Sequence, residues 1–330
     1  MAGGRPPLSF PRFARAWIAL FVLALTACGT VAPRLDPPTG TEAALSASAR
    51  PSQRDMLPVS NPPLRDADAG RTQLLSAGMI TAHSLAIGLY GANKWWNQGF
   101  SGQFRTEREG WFGRNTYAGG ADKLGHLYIN YVSTRLFARA FHWAGNSSEE
   151  ALALAAWTTP GTYAAGEGLD GLSRQWRFSR EDLAMNLAGV GAALLLEKNP
   201  DLDRLLDLRL LYWPSRQNGR QFEPFGDYAG QTYLVVAKAS GIPRLRSHPL
   251  LRYVEFAVGY NARGFPESPG RLPGDGSRSL YVGLSLNLSE LMERNAARDG
   301  APPGNVMKAA GTFLEFIQVP GTAVFTKHPF

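Results

Sequence analysis

The chain predicts a mainly α, α+β protein: a helical bundle with a small antiparallel β-hairpin appendage, preceded by a signal peptide and a disordered tether. Three observations carry that prediction. Four segments, about 73–92, 122–144, 149–168 and 180–197, set apolar residues at helical spacing. Leu280 to Leu288 alternates, with Leu280, Val282, Leu284, Leu286 and Leu288 on one face and Tyr281, Gly283, Ser285 and Asn287 on the other, as a strand does. From Thr30 to about Arg71, Pro33, Pro37, Pro38, Pro51, Pro58, Pro62 and Pro63 interrupt a segment with no sustained apolar period.

Taken in order, the elements give residues 1–27 as a signal peptide, 28–71 as the tether, 72–215 as the bundle and 216–330 as a mixed C-terminal region with the hairpin. Arg5, Arg12 and Arg15 make a positive start, and Ala16 to Leu25 is an apolar run too short to cross a bilayer. Leu25-Thr26-Ala27-Cys28 then resembles the lipobox of bacterial lipoproteins. The resemblance implies cleavage before Cys28, diacylglycerol on its thiol and a fatty acyl chain, such as palmitate, on its amine. Two acyl signals or more anchor stably, whereas one is marginal. Gly29 follows the cysteine, without the aspartate that by family custom retains such proteins at the inner membrane. The expected location is therefore the periplasmic face of the outer membrane.

Cys28 is the only cysteine, so an acylated chain forms no disulfide and depends on its core. The formal net charge is +7, and three of the positive charges leave with the signal peptide. Basic and acidic residues are interspersed, which gives no support to nucleic-acid binding. The expected partners are the membrane, through the lipid anchor, and an envelope protein or cell-wall component.

Segment 73–92 has no Asp, Glu, Lys or Arg and reads as a buried core helix rather than a membrane span. An aromatic, glycine-punctuated connection follows, in which Trp95, Trp96 and Trp111 are the candidate surface contacts for sugars or lipid headgroups, against the simpler reading of a loop that caps the bundle core. Asp201 to Leu211 carries leucines at helical spacing, Arg252 to Tyr260 is the expected partner of the alternating strand, and Asn305 to Gln318 suggests a last helix. A C-terminal Phe330 is common in outer-membrane barrels, but two strands close no barrel.

The chemistry gathers at one end of the helical segments. Asp122 and His126 share a helix face at i, i+4, with Lys123 beside them; Glu167 and Asp170 are spaced i, i+3; Ser179, Asp182 and Asn186 run along a third segment, with Gly189 completing the stripe. Such groups, once buried, must satisfy one another or hold something. Ser179 suits an N-cap, and a hydrogen-bond network between helices is the simplest account. No cofactor is expected; a divalent metal is the inorganic ligand that imidazole and carboxylates would suit, though no HExxH spacing is present. Gly-x-Ser-x-Gly and the P-loop are absent as well.

Gly119-Gly120-Ala121-Asp122-Lys123-Leu124-Gly125-His126, with Glu167-Gly168-Leu169-Asp170-Gly171, Phe178-Ser179-Arg180-Glu181-Asp182-Leu183, Asn186 and Gly189, resembles the YfiM-like family of periplasmic lipoproteins. The likeness runs over roughly residues 73–290, and that family has no established reaction. A looser similarity links the Asp-Lys-x-x-His segment, the later Glu and the Asp-x-x-x-Asn helix to VanZ-like proteins, from which the lipobox and strand region depart. Two functions follow as expectations: a non-catalytic scaffold or binding lipoprotein, and an envelope enzyme acting on lipid or cell wall through a His/Asp/Glu site.

Overall fold

The computed structural model describes residues 66–265, 276–298 and 305–330. The signal segment, Cys28, nearly all of the expected tether and the loop 266–275 lie outside the described residues. Four long helices stand where the helical periods are: α1 (Asp66–Lys94), α2 (Ala121–Trp143), α3 (Ser148–Leu172) and α4 (Arg180–Lys198).

Local chemistry sets their starts. Ser147 Oγ accepts from the Glu150 N–H while the Glu150 carboxylate accepts from the Ser147 N–H, a reciprocal cap that opens α3. Ser179 Oγ accepts from the Asp182 N–H at 3.2 Å and opens α4. The chain enters α2 through Ala118, Gly119 and Gly120, with φ of 46°, 62° and 85°. Glycine suits the last two positions because left-handed backbone costs it little.

The central helix is α2, packed against α3 on one side and α4 on another. A Cβ at Gly189 would stand 2.1 Å from the Leu127 carbonyl oxygen, so glycine lets α4 approach the α2 backbone itself. Ala138, Phe141, Ala151 and Ala155 make the core between α2 and α3, and Met79 and Ile80 of α1 pack against it.

The expected burial of the first apolar helix is overturned. Leu74, Leu85 and Leu89 of α1 are 76, 59 and 71 % exposed, whereas Thr72 and Ser76 are buried. Thr72 Oγ1 donates to the Ala144 carbonyl at 3.0 Å and Ser76 Oγ accepts from the Asn146 amide at 2.9 Å, so hydrogen bonds join Met79 and Ile80 in fastening the inward side of α1. Absence of charge told how apolar the helix is, and not which of its faces meets the body.

Beyond α4 the mixed α+β character is plain, but the β part is larger than a hairpin. Five antiparallel strands, β3 (Leu206–Tyr212), β4 (Gln231–Lys238), β5 (Val254–Arg263), β6 (Ser277–Leu286) and β7 (Ala323–Pro329), pair in chain order. Two short parallel strands, β1 (Thr106–Glu107) and β2 (Phe178–Ser179), precede them. The leucine-rich stretch expected to be helical is a single short helix, α5 (Pro200–Leu205), followed by β3. From Leu206 the residues alternate, and period two displaces period 3.6. Leu206, Leu208 and Leu210 join the cores against α2, while Asp207 and Arg209 point to the opposite face.

That opposite face holds a buried ionic network. Arg209 donates to both Glu255 oxygens at 2.8 Å and to Asp207 at 2.6 Å, Lys238 pairs with Asp207 at 2.5 Å, and Ser285 Oγ donates to Glu255 at 2.8 Å. Helices α6 (Leu288–Arg298) and α7 (Asn305–Phe316) complete the fold, and the chain leaving α7 pairs through Ile317 with Leu210 at the free edge of β3. The Tyr128 hydroxyl of α2 donates to the Phe316 carbonyl at 2.6 Å, which ties the helical half to this end of the sheet.

Candidate functional site

The polar groups singled out in the sequence come together where the N-termini of α2 and α4 meet the C-terminal part of α3. Strands β1 and β2 hold Ser179 at the mouth of α4, and the loop after β1 delivers Glu109 to the same place. The site is built in two halves that share Asp182.

In the first half the fully buried Lys123 ammonium meets three carboxylates. Asp122 Oδ2 lies at 2.7 Å, Asp182 Oδ1 at 2.6 Å, and Glu109 Oε2 completes the set. The three acids come from the loop, α2 and α4, so one cation joins three elements. Burial disfavours the Lys123 charge, and the three acids outweigh it and hold the pKa above its ordinary value. Burial likewise pushes the Asp122 carboxyl up to about 6 and the Glu109 carboxyl up to about 7, with the nearby ammonium opposing both shifts.

In the second half His126 stands between Glu167, Asp182 and Asn186. Its Nδ1 lies 3.0 Å from Asn186 Oδ1 and 3.6 Å from Glu167 Oε1, and its Nε2 lies 3.7 Å from Asp182 Oδ2. Asn130, one turn beyond His126 on α2, donates to the same Asn186 oxygen at 2.6 Å. That oxygen accepts twice, so the Nδ1 side of the imidazole carries a proton. Burial alone lowers the His126 pKa, and Asp182, Glu167 and Asp122 overcome it, raising it to about 9. Burial pushes Glu167 up to about 8. Burial also acts upward on Asp182, but His126 and Lys123 outweigh it and hold this carboxyl below its ordinary value. Of these groups His126 is the open one: its side chain keeps 26 % of its surface in solvent while Glu167 keeps 4 %.

Among the described residues, two sets of donors are compact enough to hold a metal ion: His126, Glu167 and Asp182, and Glu109, Asp122 and Asp182. Within each, the ligand atoms lie within 4.8 Å of one another. Lys123 already fills the second set with positive charge. The first has oxygen and nitrogen donors of the kind zinc accepts.

The remaining expected residues divide. Asp170 accepts from the Trp96 indole N–H at 2.6 Å. Ser179 is the cap of α4, its hydroxyl committed to that turn. Among the candidate surface aromatics, Trp96 is buried, Trp95 is half-buried and edge-on to Tyr90 at 5.0 Å, and Trp111 is exposed. Trp96 is therefore a support for Asp170 rather than a contact surface. Two members were missed in the sequence. Asn130 was legible as the next i+4 step after Asp122 and His126. Glu109 gave no signal, because only the fold of its loop brings it to Lys123.

Residues 108–198 match the family described as "Predicted periplasmic lipoprotein (DUF2279)". The matched stretch contains every charged group of both halves and stops before the five-stranded sheet. No curated protein and no solved structure matches the chain.

Proposed function

We propose that this chain is a cell-envelope lipoprotein, acylated at Cys28, whose folded body is a scaffold or binding module at the periplasmic face of the outer membrane. The observation that carries the non-catalytic part is the closure of Lys123 by Glu109, Asp122 and Asp182. A cation sealed by three acids from three elements holds those elements together, and an ammonium so held has no lone pair with which to act as a base. His126 supports the same reading: with its pKa raised to about 9 by carboxylates that outweigh burial, it is protonated at neutral pH and has no basic nitrogen to offer a substrate. The lipobox and the matched family description support the anchored part. The YfiM-like likeness belongs to this reading, as do an envelope protein or cell-wall component as partner and the division of the chain into signal, tether, helical body and mixed C-terminal region.

The test has two arms. Full-length chain is fractionated between inner and outer membranes, with the acyl mass on Cys28 measured; recovery in the inner membrane, or an unmodified Cys28, overturns the anchoring part. Variants His126→Ala and Asp182→Ala are then compared for stability and for envelope integrity. Variants that stay fully folded yet lose envelope function overturn the scaffold part.

One observation favours a second reading, an envelope enzyme or metal protein. His126, Glu167 and Asp182 bring one imidazole and two carboxylates within 4.8 Å. A divalent cation there would displace the imidazole proton and balance the carboxylates. Metal analysis of the purified chain, with His126→Ala as control, tests it: a stoichiometric ion lost in the variant establishes the reading, and equal metal in both excludes it.

A further inference from the structure

Helix α1 is apolar on both of its sides. Met79 and Ile80 pack against the body and Thr72 and Ser76 are hydrogen-bonded to it, while Leu74, Leu85 and Leu89 face outward beside the exposed Gln73, Thr81 and Ser84. A soluble amphipathic helix keeps its outward face polar. From Gln73 to Asn93 it has no Asp, Glu, Lys or Arg, and only 11 % of its most apolar window is buried. Such a stretch of about 20 residues is roughly 30 Å long at 1.5 Å per residue.

We propose that the outward face of α1 lies against lipid, making a second membrane contact besides the acylated cysteine. The occupant is a phospholipid leaflet, and three observations select it. Residues 29–65 join Cys28 to the start of α1, so the chain leaving the anchor enters the body through this helix. The exposed Arg71 sits one turn before Leu74, where a basic side chain meets anionic headgroups beside an apolar face. Both ends of α1 are fastened to the body, Thr72 to the Ala144 carbonyl at 3.0 Å and Lys94 to Glu223 at 2.8 Å, so the helix meets the membrane lengthwise as one side of the protein rather than as a separate crossing segment.

The inference rests on the proposed membrane location but is tested apart from it. With Cys28 acylated, a single introduced thiol can be labelled in the full chain. Leu74→Cys, Leu85→Cys and Leu89→Cys, and Arg244→Cys at an exposed position in the short helix Pro243–Arg246, are each given a nitroxide and reconstituted in phosphatidylethanolamine–phosphatidylglycerol vesicles. Collisions with oxygen, which concentrates in lipid, are compared with collisions with a water-soluble nickel chelate. The expected result is an oxygen-to-nickel ratio several-fold higher at the three α1 positions than at position 244. Equal ratios overturn the proposal, and they are also the outcome for a face reserved for a protein partner, because these vesicles contain none. The acyl mass on Cys28, read from the same samples, reports on the anchor separately.

Discussion

Lys123 Nζ lies 2.6 Å from Asp182 Oδ1, a contact that joins the first turn of α2 to the first turn of α4, with Lys123 fully buried and Asp182 nearly so. Removing the cation leaves Glu109, Asp122 and Asp182 facing one another. Lys123→Met keeps the length of the side chain and deletes the charge, so the cost measured is that of unpaired buried carboxylates. We expect a loss of about 3 to 5 kcal/mol, the range for breaking a buried ion pair from one side. Urea unfolding in one fixed detergent measures it, and a loss below about 1 kcal/mol, the range of exposed pairs, refutes the pin.

His126 gives the site a pH dependence. Burial lowers its pKa and the surrounding acids raise it further, to about 9 from an ordinary 6.5. Below the lower value both folded and unfolded chains hold the proton, and the stabilisation is fully present. Between the two values the folded chain binds a proton that the unfolded chain has released, so stability falls as pH rises. Glu167, pushed up from an ordinary 4.5 to about 8 chiefly by burial, acts in the same direction between those two values, which covers the lower part of this window. Thermal midpoints at pH 6, 7.5 and 9 are expected to decline in the parent and to decline less in His126→Gln. Equal slopes in the two proteins refute the assignment.

Much of this site was legible before the fold was known. The i+4 spacing of Asp122 and His126 and the stripe Ser179, Asp182, Asn186 name two faces, and the faces meet because Gly189 lets α4 approach α2. What was not legible depends on contacts distant in sequence. Glu109 reaches Lys123 only through the loop that β1 begins, and Trp96 reaches Asp170 from the end of α1. Strands β4 and β7 went unread for a different reason. The Tyr233–Val236 run in β4 is apolar on both faces, and the last strand, largely exposed, lacks a clean alternation. The exposed side of α1 was hidden because a charge-free helix looks the same on paper in a protein core and against lipid.

Gly189 and Gly191 are a matched pair on α4. A Cβ at position 189 would stand 2.1 Å from the Leu127 carbonyl, while one at position 191 would meet nothing within 4 Å. Gly189→Ala forces the helices apart and is expected to cost at least the 1 to 3 kcal/mol, approximately, of an overpacked core. Gly191→Ala keeps the crossing and is expected to stabilise by up to about 1 kcal/mol through helix propensity. Unfolding curves of the two variants measured side by side check this, and equal effects contradict the close crossing.

Arg209 tests the ionic network under the sheet. Its guanidinium donates to Glu255 through both nitrogens of the fork, each at 2.8 Å, while Asp207 has Lys238 as a second cationic partner. Arg209→Met therefore strips Glu255 of its ion partner more completely than it strips Asp207. The single variant is expected to lose about 3 to 5 kcal/mol. Glu255→Gln in the Arg209→Met background removes the stranded charge and keeps an amide oxygen to accept from Ser285, whose hydroxyl donates to Glu255 at 2.8 Å. If the unpaired charge is the cause, the double variant recovers part of the loss, and the four-protein cycle gives a coupling within roughly 0.5 to 3 kcal/mol. Additive losses instead trace the damage to packing of the arginine stem, and the network then holds β3 to β5 by shape rather than by charge.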